Sequence, residues 1–283
     1  MLERAIANEI LSPGFSDFTV TTTKREGKSG CVSLVGAGPG DPELLTVKAM
    51  RVIEQADLIV FDRLVSPEIC ALFPAATATN YVGKAKGKQS LSQAEINALL
   101  VAKAREGMNV CRLKGGDAFV FGRGGEEILA LSEAGIEFEV VPGITAAAGC
   151  SAYAGIPLTH RGLSQGCTFV TAHTEKDLMI RWDALVKLNH TLVFYMGLTK
   201  AGLISKGLSE AGLSADTQVA LIEKGCCPQQ RVICGELCQL EALVIQHQVQ
   251  SPALIVVGQV VGLAEQLQWF SATENQQASR LSA

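Results

Sequence analysis

The stretch Gly36-Ala37-Gly38-Pro39-Gly40-Asp41-Pro42 closes an apolar run, and its glycines can bring main chain against a ligand where a Cβ would collide. A dinucleotide fingerprint, G-x-G-x-x-G, would need glycine where Asp41 stands, and Pro39 removes an amide that a pyrophosphate could use. Asp62, about 20 residues downstream at the end of the next apolar run, keeps a nicotinamide reading open. A second stretch, Arg112-Leu113-Lys114-Gly115-Gly116-Asp117, leads into Phe119-Val120-Phe121-Gly122-Arg123-Gly124-Gly125-Glu126-Glu127. Two glycine-rich loops at the carboxyl ends of neighbouring strands would build one concave edge. Asp117 can bind ribose hydroxyls there or cap the next helix. Arg123 with Glu126 can hold a ligand or form a solvated ion pair. Val141-Pro142-Gly143-Ile144-Thr145-Ala146-Ala147-Ala148 offers small residues that can lie on a flat ligand or on another helix. His160-Arg161 supplies potential cations for a carboxylate-bearing substrate.

Other chemistries find little support. Cys226, Cys227, Cys234 and Cys238 crowd together without C-x-x-C spacing, which argues against a zinc or iron–sulfur site. His160, His173, His190 and His247 show no H-E-x-x-H spacing, and neither a G-x-S-x-G elbow nor a Walker lysine motif occurs. The 283 residues are 48% hydrophobic and 18% charged with 28 glycines, which excludes a disordered chain or a coiled coil. A net charge of −4 leaves no global basic field for nucleic acid, so anions must be met by locally placed arginines. The nine cysteines, odd in number and scattered through apolar runs, read as buried thiols in a reducing cytoplasm. Met1 to Leu11 carries Glu3, Arg4 and Glu9, unlike the apolar core of a signal peptide. Val140 to Thr159 lacks charge, but Pro142, Gly143, Gly149, Gly155 and Pro157 break it as a membrane helix. It reads as a strand end, a loop and a buried helix.

The elements that must position these loops follow from the apolar pattern. Runs at 31–35, 57–61, 109–113, 138–141, 167–172, 191–196, 218–222, 231–234 and 253–258 predict strands, several apolar at nearly every position and so covered on both faces. Helical patterns lie between them: Leu45, Ala49, Val52 and Ile53 share a face, and Ser92 with Glu95 forms a capping box. The alternation predicts an α/β protein with a mainly parallel sheet in the first half. The adjacent runs at 218–222 and 231–234 predict an antiparallel pair, hence a mixed sheet in the second half. The expected organisation is an extension over 1–30, an α/β lobe over 31–155, a second over 156–270, and a tail over 271–283. A cleft between lobes is the default ligand site.

Taken in order, VGAGPGDPELLT (35–46), FDRLVS (61–66), VGK (82–84), RLKGGDAFVFGRGGEE (112–127), VVPGITAAAGCSAYAGIPLTHR (140–161) and TLVFYMG (191–197) resemble the S-adenosylmethionine-dependent tetrapyrrole methylases. The resemblance runs from about Cys31 to Phe270. It implies a two-lobed α/β enzyme, a homodimer, needing no metal, with both ligands in the inter-lobe cleft. It implies cofactor contacts at Pro39, Gly115, Gly116, Asp117, Val120, Thr145, Ala146, Met196 and Gly225, with valine at 120 where relatives often carry isoleucine. Asp62 matches the family's proton acceptor and Lys84 its proton donor, while Arg123, Glu126 and Arg161 fall on positions associated with the tetrapyrrole. The combined wording implies methylation of uroporphyrinogen III at C2 and C7 to precorrin-2 through precorrin-1, with S-adenosylhomocysteine as product. That chemistry belongs to sirohaem or cobalamin biosynthesis. A later corrinoid precursor is the alternative substrate within the family. Without a dehydrogenase and ferrochelatase module, the chain resembles the stand-alone form. A nicotinamide dehydrogenase would leave residues 112–127 without a role, and a non-enzymatic tetrapyrrole binder would not need two glycine-rich loops and Met196.

Overall fold

The computed structural model describes residues 29–83, 91–172 and 180–271. Lys84, His173 and most of the expected extension and tail lie outside the described residues. Strands β1 (Cys31–Gly36), β2 (Leu58–Phe61), β3 (Ala78–Tyr81), β4 (Val110–Lys114) and β5 (Glu137–Val141) form one sheet in the order β3-β2-β4-β1-β5, and every pair in it is parallel. Strands β6 (Cys167–Thr171), β7 (Thr191–Tyr195), β8 (Gln218–Glu223), β9 (Arg231–Glu236) and β10 (Ala253–Val257) form a second in the order β6-β7-β10-β8-β9. There β6 and β7 are parallel and the remaining pairs antiparallel, including the expected β8–β9 pair. The α/β architecture, parallel then mixed, is the one the residue pattern predicts.

Helices α1 (Val47–Gln55) and α2 (Pro67–Cys70) cover one face of the first sheet, meeting Ile59, Cys111 and Leu113 through Ala49, Ile53 and Ile69. Helices α3 (Gln93–Arg105) and α4 (Gly124–Glu133) cover the other, where Ile96, Leu100, Ala104 and Leu131 meet Val32, Leu58, Val60 and Val110. The period of two along β4 sends Cys111 and Leu113 one way and Arg112 and Lys114 the other, toward α3 and α4. The capping box at Ser92 and Glu95 starts α3 as expected, its two reciprocal hydrogen bonds both formed.

Helix α5 (Ala146–Tyr153) follows the Pro142-Gly143 turn and lies on the second sheet: Ala147, Cys150 and Ala154 pack with Val193, Ala220, Ile222 and Val256. The opposite face of that sheet is covered by α6 (Trp182–Lys187), α7 (Ala201–Glu210) and α8 (Leu240–Gln246), while α9 (Ala264–Leu267) joins the α5 side. Two expectations need correction. The runs at nine places are strands, but β3 is a tenth: its sequence Ala-Thr-Asn-Tyr has no apolar run because it is an exposed sheet edge. Nor are all thiols buried. Cys111, Cys150 and Cys226 are, whereas Cys234 and Cys238 are exposed: Cys234 lies on β9, also an edge whose alternate residues face outward, and Cys238 lies in the short helical turn that follows it.

Candidate active site

The carboxyl ends of β1 and β4 are tied together by main chain, with the end of β5 packed against them. The amide of Ala37 donates to the Lys114 carbonyl at 2.8 Å, and Gly38 and Gly116 exchange hydrogen bonds of 3.0 and 2.6 Å. A Cβ on Gly143 would lie 2.4 Å from the Gly116 carbonyl oxygen and 2.6 Å from Gly36, so only glycine permits this junction. Gly116 itself sits at φ +71°, and a Cβ there would meet only the Ala146 amide nitrogen, at 3.6 Å. Its open face is therefore turned toward the amino end of α5.

Asp117 braces this cradle. Its Oδ1 accepts from the amides of Phe119 and Val120, and its Oδ2 from that of Gly143 at 3.1 Å. It does not cap α4: Arg123 occupies that position in the left-handed region with no side-chain cap, and the Asp117 carboxylate is spent on its own turn and on Gly143. Gly115 also answers to a different demand than ligand approach. A Cβ there would lie 2.5 Å from the Leu64 Cβ and 2.7 Å from its carbonyl oxygen, so glycine lets the 62–65 loop lie against the cradle.

The second sheet supplies the opposite wall. The Tyr195 hydroxyl lies 2.6 Å from Thr145 Oγ1 and accepts from the Ala147 amide at 2.8 Å, so it caps α5 from β7. Burial raises the Tyr195 phenol above its ordinary range. Met196, next in the chain, is about half exposed at φ 54°. Gly225 faces the Cys150 thiol of α5 at 2.4 Å from its would-be Cβ, and Pro39 abuts Gly149 of the same helix. Val120 and Ala146 pack against the second-sheet core. Pro39, Gly116, Asp117, Val120, Thr145, Ala146, Met196 and Gly225 are thus gathered around the first turns of one helix. Left-handed conformations at Phe121, Arg123, Met196, Lys224 and Cys226 occur in these same loops. Such strain collects where structure is shaped for ligands.

Asp62 ends β2 beside this cradle. Its Oδ1 accepts from the Leu64 amide at 3.0 Å, and its Oδ2 stands 3.4 Å from Arg112 Nη2. The cation is Arg112 of β4, not the adjacent Arg63, because Val60 and Arg112 are register partners. Behind it, Glu127 Oε1 lies 3.1 Å from both Arg112 Nε and Lys114 Nζ. Arg112, Lys114 and Glu127 are 2%, 4% and 0% exposed, so this is an interior charge cluster. Burial, with Arg112 alongside, pushes the Lys114 ammonium below the ordinary lysine range. Neither this cluster nor Tyr195 stands out in the sequence as a site; the available signal was charge inside a strand flanked on both sides by parallel neighbours.

The expected tetrapyrrole contacts are less gathered. Arg123 and Glu126 form a two-point ion pair at 2.8 Å on the first turn of α4, both side chains about half exposed. Arg161 is exposed in the 160–164 turn, which is tied through Ser164 to the Thr191 amide, at the opposite end of β7 from Tyr195.

A parallel sheet with a glycine-built cradle at its carboxyl edge, closed by a mixed sheet through one shared helix, defines a two-lobed α/β ligand-binding protein. Residues 32–241 match the family model of tetrapyrrole (corrin/porphyrin) methylases, and the chain belongs to that family. It is 50% identical over 266 residues to the siroheme synthase of Acinetobacter baylyi, covering 94% of this chain and 57% of that one. It is 53% identical over 241 residues to that of Edwardsiella ictaluri, covering 85% and 52%. The chain spans about half the length of the curated relatives it matches. Among solved structures it is similar to uroporphyrin-III C-methyl transferase from Thermus thermophilus, complexed with S-adenosylhomocysteine, at 40% identity and a TM-score of 0.71 over 82% of this chain and 93% of that one. A cobalt precorrin-4 methyltransferase is similar at 26% identity and a TM-score of 0.73, covering 81% and 95%.

Proposed function

We propose that the chain is an S-adenosylmethionine-dependent methyltransferase that converts uroporphyrinogen III to precorrin-2 by C-methylation at C2 and C7. The observation that carries this reading is the main-chain cradle at Gly38 and Gly116, open toward the amino end of α5 with the Asp62 carboxylate beside it. Its likeness to the Thermus thermophilus enzyme over nearly the whole of that chain supports the choice of substrate. The open face of Gly116, the amino end of α5 and the half-exposed Met196 fit a nucleoside-bearing group. Pro39, Gly116, Asp117, Val120, Thr145, Ala146, Met196 and Gly225 would hold it, with Gly115 serving indirectly by admitting the 62–65 loop behind them. When bound, S-adenosylmethionine supplies an electrophilic methyl group.

The remaining work falls to this chain's side chains. Asp62 can stabilise positive charge on the methylated macrocycle and take up the proton it releases. Lys84 is assigned the companion role of proton donor. Arg123 and Arg161, with Glu126 orienting Arg123, would pair with the substrate's carboxylates, for which a guanidinium fork is the matched donor. Positioning of an in-line carbon nucleophile supplies much of such a rate. We therefore propose that no metal takes part. The lobes divide between β5 and β6, and the protein acts as a homodimer in the cytoplasm. Incubation with methyl-labelled S-adenosylmethionine and uroporphyrinogen III tests the reading. Products heavier by one and then two methyl groups are expected, with a chelator leaving the rate unchanged. Label appearing only on a later corrinoid precursor would move the enzyme elsewhere in the family.

A further inference from the structure

The interior charge cluster is lopsided. Glu127 Oε1 receives Arg112 Nε, Lys114 Nζ and Gln93 Nε2, each at 3.1 Å, while Oε2 is buried with no partner among the described residues. A cluster serving stability alone would gain by pairing both oxygens, and well-packed apolar residues often serve as well as a buried ion pair. What the arrangement does fix is the guanidinium of Arg112. Its Nε is held by Glu127, and its Nη1 by the carbonyls of Leu113 and Val60 at 3.2 and 3.5 Å. That leaves Nη2 directed at Asp62 Oδ2, at 3.4 Å. Lys114 balances the charge, so two cations face two carboxylates across the end of β4. Gln93 reaches in from α3 and steadies the shared oxygen.

We propose that Glu127 is a positioning residue for Asp62, acting through Arg112 to aim the Asp62 carboxylate at the edge of the cradle. This rests on the reading of Asp62 as the carboxylate that serves methylation. Glu127 touches neither ligand; a guanidinium held at two of its three nitrogens transmits its position through the third. Loss of the Glu127 charge lets Arg112 turn, and the Asp62 carboxylate loses its fixed bearing.

Single-turnover methylation of uroporphyrinogen III separates this role from a structural one, measured for Asp62→Asn, Glu127→Gln and the double variant. Dissociation constants for S-adenosylhomocysteine and for the tetrapyrrole are read alongside. Glu127→Gln should slow turnover by roughly 10- to 100-fold, the scale of a small misplacement transmitted to reacting groups, with both dissociation constants nearly unchanged. The double variant should be no slower than Asp62→Asn alone, because residues acting in series do not add. Multiplied losses in the double variant, or an unchanged rate in Glu127→Gln, would overturn the positioning role and leave Asp62 in place. A normal rate in Asp62→Asn would instead overturn the reading of Asp62, and the inference with it. Should Glu127→Gln fail to fold, pairing it with Lys114→Met removes one charge of each sign, and the same cycle is run on that background with the same outcomes.

Discussion

The hydroxyl of Tyr195 lies 2.6 Å from Thr145 Oγ1, so a residue at the end of a second-sheet strand holds the first turn of the helix that faces the first sheet. It also accepts from the Ala147 amide, which the Thr145 side chain does not cap. Tyr195→Phe should leave both groups unpaired and cost about 1–3 kcal/mol of stability. Cofactor affinity should fall by about tenfold, equivalent to about 1.4 kcal/mol. Thermal unfolding and calorimetric titration with S-adenosylhomocysteine check the two effects separately.

The neighbouring glycines of the cradle should fail in different ways. Gly116→Ala places a side chain at φ +71°, a cost of about 1–2 kcal/mol, and puts a methyl on the open face. Gly115→Ala drives a methyl into Leu64, an overpacking cost of about 1–3 kcal/mol, and shifts the loop that carries Asp62. The first variant should lose chiefly cofactor affinity. The second should lose turnover and thermal stability while still binding cofactor. Identical profiles for the two would dissolve the distinction.

Arg123 is expected to serve the substrate and not the cofactor. Arg123→Ala should weaken tetrapyrrole binding by about 1.5–3 kcal/mol, as for hydrogen bonds to charged groups, with cofactor affinity unmoved. The Arg123 guanidinium holds the Glu126 carboxyl below its usual range. A lowered carboxylate contributes stability that is present above its unfolded value and fades as pH falls through the folded one. In Arg123→Ala, NMR titration of Glu126 should return toward the ordinary glutamate value of about 4.3.

Ser66 joins the Asp62 loop to the first glycine loop. Its hydroxyl donates to the Gly40 carbonyl at 2.6 Å and accepts from the Ile69 amide, capping α2. Ser66→Ala should cost about 1–2 kcal/mol, as lost caps do. It should also raise proteolytic sensitivity around residues 38–42. Stability unchanged in denaturant titration would argue against this link.

Much of the architecture is legible in the residues because buried parallel strands write long apolar runs. β1, β2 and β4 are such strands, and the glycine loops after β1 and β4 prove to be spatial neighbours because those strands pair. β3 escapes because an exposed edge strand needs no apolar run. Arg112 and Lys114 escape for another reason. Within β4 they read as an ordinary polar face, and only the helices lying on that face turn them into interior charge. The partner of Asp62 was equally out of reach, since strand register, not chain adjacency, decides which cation it meets.

Helix α5 has its apolar side chains in the core of the second sheet, yet Gly149 abuts Pro39 and the Ala146 amide faces Gly116 of the first. The two halves of the molecule therefore share a rivet. Neither can rotate against the other without opening the cradle, so a ligand seated there is a clamp across the whole chain. Heat should find the liganded protein melting as one body, at a temperature set by the ligand's concentration rather than by either half.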